Sequence, residues 1–229
     1  MQSVKLIVAF LFVSLFFSTF SCTMGNENDS TKTDDDPTVN SPIVYKTTQI
    51  TPEALVEIYK ALGRELKGKV AIKISTGEPG GNNYLSPDLI KDLVQSLNGT
   101  IVECNTAYPG KRYTTEDHKK AAEDHGFTKI ANVDIMDEDS SIALPFEKGV
   151  NIKEDYVGSH FKNYDSFLIL SHFKGHAMGG FGGAIKNMSI GIASALGKMW
   201  IHSSGTSKTP GDMNALINSP HELFLESMA

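Results

Sequence analysis

Apolar positions recur with two different periods along the chain, and the two periods alternate from residue 51 onward. Apolar positions three or four residues apart predict a helix over residues 51–66. We expect further helices over residues 86–97, which begin with Ser86, Pro87 and Asp88, and over residues 115–125. Continuous apolar runs predict buried strands over residues 70–75, 100–104, 133–136, 141–144 and, most strongly, 166–171. Strands separated by helices predict an α/β fold, with a mainly parallel sheet and helices on both faces.

The first 21 residues form an apolar segment that we interpret as a signal peptide. Lys5 precedes an apolar run that is shorter than the ~20 residues needed to span a bilayer. Residues 18–22 resemble a bacterial lipobox, in which cleavage exposes Cys22 for lipid attachment, although Thr19 stands where an aliphatic residue is usual. This pattern predicts a lipid anchor in the bacterial cell envelope, on the periplasmic or cell-surface side, with the membrane as partner. The alternative is a plain secretory signal.

Residues 22–42 have the composition of a flexible tether, and residues 43–229 that of a folded domain. Residues 23–42 contain five acidic side chains against one lysine and almost no large apolar residue, so this stretch cannot bury enough surface to fold. Of the formal net charge of −6, only −3 therefore belongs to the domain. This weak charge, without a basic stripe, argues against nucleic acid as a partner. The two cysteines exclude a disulfide framework and an iron–sulfur cluster held by this chain alone.

A glycine-rich segment follows the strongest predicted strand and precedes a predicted helix. Backbone N–H groups at the start of such a helix are left uncovered and attract anions. The residues that we expect to bind an anion or cofactor here are Lys174, Gly179, Gly180, Gly182, Gly183, Lys186 and Asn187. The spacing is neither that of a P-loop nor that of a dinucleotide fingerprint. The alternative is that the glycines only permit a tight turn and close packing.

Four of the seven histidines lie in the same part of the chain. His172 and His176 are four residues apart, a spacing that could hold a metal on a helix, but the segment contains too many glycines to be a regular helix. For His160 and His172 we favour a structural role.

Residues 171–191 read SHFKGHAMGGFGGAIKNMSIG and resemble the signature of the bacterial and archaeal domain of unknown function 362 family. Residues 105–112, 124–127 and 197–206 are similar to that family as well. Many members carry ferredoxin-type clusters, which this chain lacks the cysteines to hold. Members usually continue beyond the position of residue 229, so we expect the domain to be incomplete at its C-terminus.

A more distant resemblance is to the active-site motif of the nickel-pincer lactate racemases. It rests on His176, Lys186 and His202, with offsets of 10 and 16 residues around the shared glycines. The resemblance implies that His176 is an acid/base group, that Lys186 tethers a cofactor and that His202 ligates the metal. Where the racemases have a second catalytic histidine, this chain has Lys111 and Arg112, which we expect to bind the cofactor instead.

Two functions of different class remain open. The first is a cofactor- or metal-dependent enzyme that acts on a small anionic substrate, with a nickel-pincer or other metal cofactor. The second is a non-catalytic lipoprotein that binds a phosphate or carboxylate on the same glycine-rich loop.

Overall fold

The computed structural model of the protein describes residues 43–228 and, as backbone only, residues 5–8. The helices are α1 (Pro52–Ala61), α2 (Pro87–Ser96), α3 (Thr115–Asp124), α4 (Ala184–Ile192), α5 (Ala195–His202), α6 (Met213–Ile217) and α7 (His221–Met228). The strands are β1 (Lys5–Val8), β2 (Val70–Lys73), β3 (Thr100–Glu103), β4 (Val133–Ile135), β5 (Ser141–Pro145), β6 (Glu154–Gly158), β7 (Ser166–Ile169), β8 (Lys174–His176) and β9 (Gly180–Gly182). Cys22, the tether and most of the proposed signal peptide lie outside the described residues.

Five parallel strands form the main sheet, in the order β1–β7–β2–β3–β4. The α/β fold with a parallel sheet is therefore confirmed. The edge strand β1, which falls within the proposed signal peptide, pairs with β7 through its backbone. The remaining strands form two antiparallel pairs, β5 with β6 and β8 with β9.

Alternate residues of the sheet face two separate apolar cores. Ile72, Ile101 and Leu168 pack beneath α1 and α2 on one face. Ala71, Val102, Phe167 and their neighbours pack on the other face against α4 and β6. The period-two alternation of the strands produces this division, because successive side chains point to opposite faces. Among the strands whose side chains the structure describes, the central ones are thus covered on both faces.

The first helix is shorter than predicted, and a glycine explains the difference. Helix α1 begins as expected, with Thr51 accepting a hydrogen bond from the backbone N–H of Ala54 at 3.2 Å. It ends at Ala61 because Gly63 adopts the left-handed conformation with φ +57. Leu66 lies beyond the helix but still packs against the first core.

The hairpin β8–β9 and the strand β6 were missed by the sequence pattern. The hairpin lies within the segment for which we predicted only a glycine-rich turn, and glycine has a low strand propensity. Gly180 has φ +69, a conformation that other residues rarely adopt, and it starts β9 after the reversal of the chain. Within residues 43–228, no helix has the length and apolar character needed to cross a bilayer.

Candidate functional site

A cavity of about 340 Å³ opens at the carboxyl ends of β2, β3 and β7. Strand β3 lies on one side of β2 and β7 on the other, so the strand order reverses at β2, and ligands of open parallel sheets bind at such points. We call this space the basic cavity. The charged residues that line it are the cations Lys73, Arg112, Lys174 and Lys186 and the carboxylates Glu78 and Glu103.

Lys73 and Glu103 form a buried ion pair at the base of the basic cavity. Lys73 is 1% exposed, and its Nζ donates to Glu103 Oε2 at 2.8 Å, to Asn187 Oδ1 at 2.9 Å and to the Ile74 carbonyl. The pair forms because Lys73 and Glu103 end the adjacent strands β2 and β3. Three acceptors satisfy the ammonium group, so Lys73 is fully engaged in the fold.

Glu103 is held by further donors on its second oxygen. Oε1 accepts from the Thr76 backbone N–H at 2.7 Å and from Arg112 Nη1 at 3.3 Å, and His118 Nε2 lies 3.8 Å away. Burial alone would raise the pKa of Glu103, but Lys73, His118 and Arg112 outweigh burial and hold this pKa well below its usual range. Glu103 is therefore a permanent anion at neutral pH, and its charge is compensated within the protein.

Asn187 connects the two central strands to helix α4. Its side-chain amide donates to the Leu170 carbonyl at 3.1 Å, to Ser171 Oγ at 3.0 Å and to the Lys73 carbonyl at 3.3 Å. A Cβ at Gly191, one turn later, would lie 2.8 Å from Asn187 Oδ1 and 3.0 Å from Lys73 Nζ. Asn187 lines the basic cavity, but all its polar atoms are bonded to protein groups.

Lys186 lies in the first turn of α4 and differs from Lys73 in the partners that residues 43–228 offer it. It forms neither an ion pair nor a hydrogen bond with the part of the chain that the structure describes. Burial, the largest cause, and the neighbouring cations together lower the pKa of Lys186 to about 8. These neighbours are Lys174, Lys198, Lys73 and Arg112.

The backbone around Lys186 leaves space for a ligand. Helix α4 has no side-chain cap at its N-terminus, so the first N–H groups of the helix have no side-chain acceptor. A Cβ at Gly182 would lie 3.5 Å from Cδ of Lys186, an ordinary contact distance, so the lysine stem lies beside the hairpin. Gly183 has φ −148, an extended conformation open to other residues, and the nearest atom to a Cβ there would be 3.7 Å away.

Two histidines on or before the hairpin face the basic cavity. His176 Nδ1 accepts a hydrogen bond from the Gly179 N–H at 3.0 Å, which leaves the proton of the neutral ring on Nε2. Burial, Lys186 and Lys174 together lower the pKa of His176. Burial and Lys174 lower the pKa of His172, whose buried Nδ1 has no partner among the described residues. Both rings are favoured in the neutral form.

His202 lies beside the basic cavity rather than in its wall. Its ring is 4% exposed, stacks on Phe224 and meets the edge of Tyr108, which lines the cavity. Nδ1 donates to the Lys198 carbonyl at 2.5 Å, so Nε2 carries the free lone pair. Burial lowers the pKa of His202 to about 4, which keeps the ring neutral.

The other predicted residues are distributed unevenly. Arg112 lines the basic cavity and is bound by Glu78, with Arg112 Nε to Glu78 Oε1 at 2.9 Å. Lys111 is exposed and does not line the cavity. The glycines Gly182 and Gly183 line the cavity, whereas Gly179 and Gly180 do not. The structure thus brings together Lys174, His176, Lys186 and Arg112.

Sequence reasoning missed Lys73, Glu103 and Lys198. A usable signal was present for the first two, because a lysine and a glutamate interrupt apolar strands that are buried on both faces. Lys198 Nζ donates to the carbonyls of Ala193 and Cys104 at 2.6 and 3.1 Å, which its position in the sequence does not indicate.

His160 forms a separate cluster away from the basic cavity. Its Nδ1 lies 2.8 Å from Asp134 Oδ1, and its Nε2 lies 2.8 Å from Asp139 Oδ2. These hydrogen bonds raise the pKa of His160. Ligand atoms of Asp134, Glu138 and His160 lie within 4.8 Å of one another. Glu138 is paired with Lys119, and His160 is already hydrogen-bonded to Asp134 and Asp139.

The comparisons with known proteins identify a family but no characterised relative. No curated protein and no solved structure matches the chain. The family model described as Domain of unknown function (DUF362) matches residues 70–229, which is more than half of the chain and includes every residue of the basic cavity. The chain therefore belongs to the DUF362 family.

Proposed function

We propose that this protein binds a small anionic molecule, with a carboxylate or phosphate group, in the basic cavity. The observation that carries the proposal is the unpartnered Lys186, whose pKa of about 8 reflects burial among other cations. Four cations line the cavity against two carboxylates, so two positive charges are in excess. An anion beside Lys186 would offset this excess and favour the charged lysine.

The proposed contacts follow from which groups remain available. Lys186 is the main anchor, and Lys174 adds charge from the hairpin. The uncapped N–H groups at the start of α4 add donors. Arg112 is engaged by Glu78 and Glu103, so it supplies positive potential more than direct contacts.

Isothermal titration calorimetry with inorganic phosphate and with acetate tests the proposal on the full chain. We expect binding that weakens with added salt, and a loss of about tenfold or more in affinity for Lys186→Met, since a charge-assisted contact is worth ~1.5–3 kcal/mol. Lys91→Met, an exposed lysine on α2, is the matched control and should bind as the parent does. Equal affinity of the parent and Lys186→Met would refute the proposal.

A second candidate function is a metal- or cofactor-dependent enzyme, and the orientation of His202 favours it. Metal-bound histidines usually donate their second ring N–H to a carbonyl or carboxylate, as His202 donates Nδ1–H to Lys198. Its depressed pKa keeps Nε2 available as a ligand atom at neutral pH. In this candidate His176 carries the acid/base role in the basic cavity, and His202 holds the metal beside that cavity.

The metal content and intact mass of the purified full chain test this second candidate. It predicts a bound transition metal, nickel or another, that is lost in His202→Ala and retained in His221→Ala, a histidine on the surface of α7. A covalent adduct on Lys186 would indicate a tethered cofactor. Absence of both metal and adduct from chain purified after growth with added nickel would leave only the binding function.

We also propose that the chain is exported and anchored by lipid on Cys22. The support is the sequence of residues 1–42 alone. Metabolic labelling with a fatty acid should label the parent and Cys104→Ala but not Cys22→Ala, while the domain stays folded in all three. Equal labelling of the parent and Cys22→Ala would end this proposal.

A further inference from the structure

A second cavity of about 370 Å³ adjoins the basic cavity and has an apolar wall. We call it the apolar cavity. Its side chains come from three places: Phe173 and Phe181 from the hairpin region, Ile185 from α4, and Leu225 and Met228 from α7. The rings of Phe173 and Phe181 lie 5.3 Å apart and form one side of the cavity.

The two cavities share part of their lining. Ser171, Gly183 and Lys186 line both. Lys186 is therefore the boundary between them, and a molecule bound to its ammonium group in the basic cavity lies next to the apolar cavity. Gly183, which also lines both cavities, has no side chain that would separate them.

The apolar cavity leaves large side chains in contact with water. Phe181 is 58% exposed, Ile185 51% and Phe173 42%. Single exposed apolar residues are common on protein surfaces. Three such residues that line one cavity together with Lys186 form a patch of the kind that binds ligands. Most other groups in the basic cavity are polar, so the pair of cavities has one charged end and one apolar end.

We infer that the ligand is an anion with an apolar substituent, whose charged group lies at Lys186 and whose alkyl or aryl part occupies the apolar cavity. The inference rests on the proposed anion-binding function and adds the chemical class of the ligand. Attraction to Lys186 positions the charged group of the ligand. Binding of its alkyl or aryl part is favourable because apolar surface of both the ligand and the cavity is removed from water.

Titration calorimetry of the full chain with methyl, butyl and hexyl phosphate, and with acetate, butanoate and hexanoate, tests the inference. Full burial of a methylene corresponds to about fourfold in affinity, so we expect each series to tighten by about two- to fourfold per methylene. Ile185→Ser and Phe181→Ser should flatten this trend and leave the affinity for methyl phosphate unchanged. Ile217→Ser, at an isoleucine on α6 that is more exposed than Ile185 and lines neither cavity, should behave as the parent does.

The remaining outcomes separate the two proposals. If methyl phosphate binds but longer tails bind no tighter, the inference is wrong and the anion site stands. If the trend persists in Ile185→Ser and Phe181→Ser, the tail binds elsewhere and the inference is also wrong. If the parent shows no trend but self-associates, and Ile185→Ser does not, a second copy covers the apolar cavity instead. If no anion binds, both proposals fail.

Discussion

Lys73 and Lys186 line the same cavity but differ in the groups that surround their ammonium groups. Lys73 is 1% exposed and bonded to Glu103, Asn187 and a backbone carbonyl. Lys186, on the opposing helix, has only cations among the charges that shift its pKa. One charge is compensated inside the fold, and the other is not. The difference indicates which lysine stabilises the structure and which is available to a ligand.

An uncompensated, partly buried charge lowers stability, so its presence calls for an explanation. Perturbed pKa values that arise from burial and neighbouring charge concentrate at functional sites. Asn187 connects the two environments, because its amide fixes Lys73 while its helix carries Lys186. The hydrogen bonds between Asn187 and Lys73 thus hold helix α4 in the position from which Lys186 reaches the basic cavity.

The largest expected effect comes from removing the paired charge. Lys73→Met leaves the buried Glu103 with Arg112 as its remaining cation, and we expect the free energy of unfolding to fall by about 3 kcal/mol. Urea unfolding measures the change. The control is Glu78→Gln, which removes an exposed partner of Arg112 and should cost less than about 1 kcal/mol. If Lys73→Met lowered the free energy of unfolding by less than about 1 kcal/mol, Lys73 would not have the structural role that distinguishes it here from Lys186.

The same substitution at the other lysine should act in the opposite direction. The folded pKa of Lys186 is about 8 against 10.5 in the unfolded chain, so protonation of the folded state is disfavoured. Lys186→Met should raise the free energy of unfolding at pH 7 by about 2 kcal/mol, less than the full shift implies because the ammonium is partly solvated. Urea unfolding at several pH values should show this advantage below pH 8 and its loss as the pH rises from 8 towards 10.5.

The sign of that result is decisive for the role of Lys186. Stability gained by deprotonating a lysine is present above the unfolded pKa and is lost as the pH falls through the folded pKa. A loss of stability in Lys186→Met at pH 7 would mean that the lysine pairs with a protein group as structure. The site assignment would then be wrong.

Smaller effects should distinguish two glycines of the same region. Gly191→Ala places a methyl group 2.8 Å from Asn187 Oδ1 and 3.0 Å from Lys73 Nζ, and should destabilise the protein by about 1 kcal/mol after the gain in helix propensity. Gly183→Ala meets nothing closer than 3.7 Å and should change stability by less than about 0.5 kcal/mol. Thermal unfolding of both variants measures the difference. Equal losses of stability in the two variants would contradict a stabilising role for the contact between Asn187 and Lys73.

Local pattern was enough to predict the fold class and most elements. Apolar runs located β2, β3 and β7, and hydroxyl–proline pairs located the starts of α1 and α2. The hairpin β8–β9 could not be predicted, because its pairing depends on backbone geometry at Gly180 rather than on apolar spacing. The left-handed Gly63 shortened α1 for a related reason, since a single backbone conformation overrode the helical pattern.

The candidate site was predicted in part. The glycine-rich segment and its position before a helix singled out Lys174 and Lys186, which line the basic cavity. The partners of Lys73 could not be predicted, because Glu103 is 30 residues away and meets it only once β2 and β3 are adjacent. Lack of a partner at Lys186 is likewise a tertiary property, since it depends on which side chains surround the cavity.

The pKa of Lys186, measured by NMR on protein labelled in its lysine side chains, tests the central claim most directly. Lys186→Met identifies the resonance, and the titration is run with and without inorganic phosphate. The account predicts a pKa of about 8 in the free protein and an increase of about one unit or more with bound phosphate. A pKa close to 10.5 that phosphate does not change would show that Lys186 is an ordinary solvated lysine, and would contradict the account.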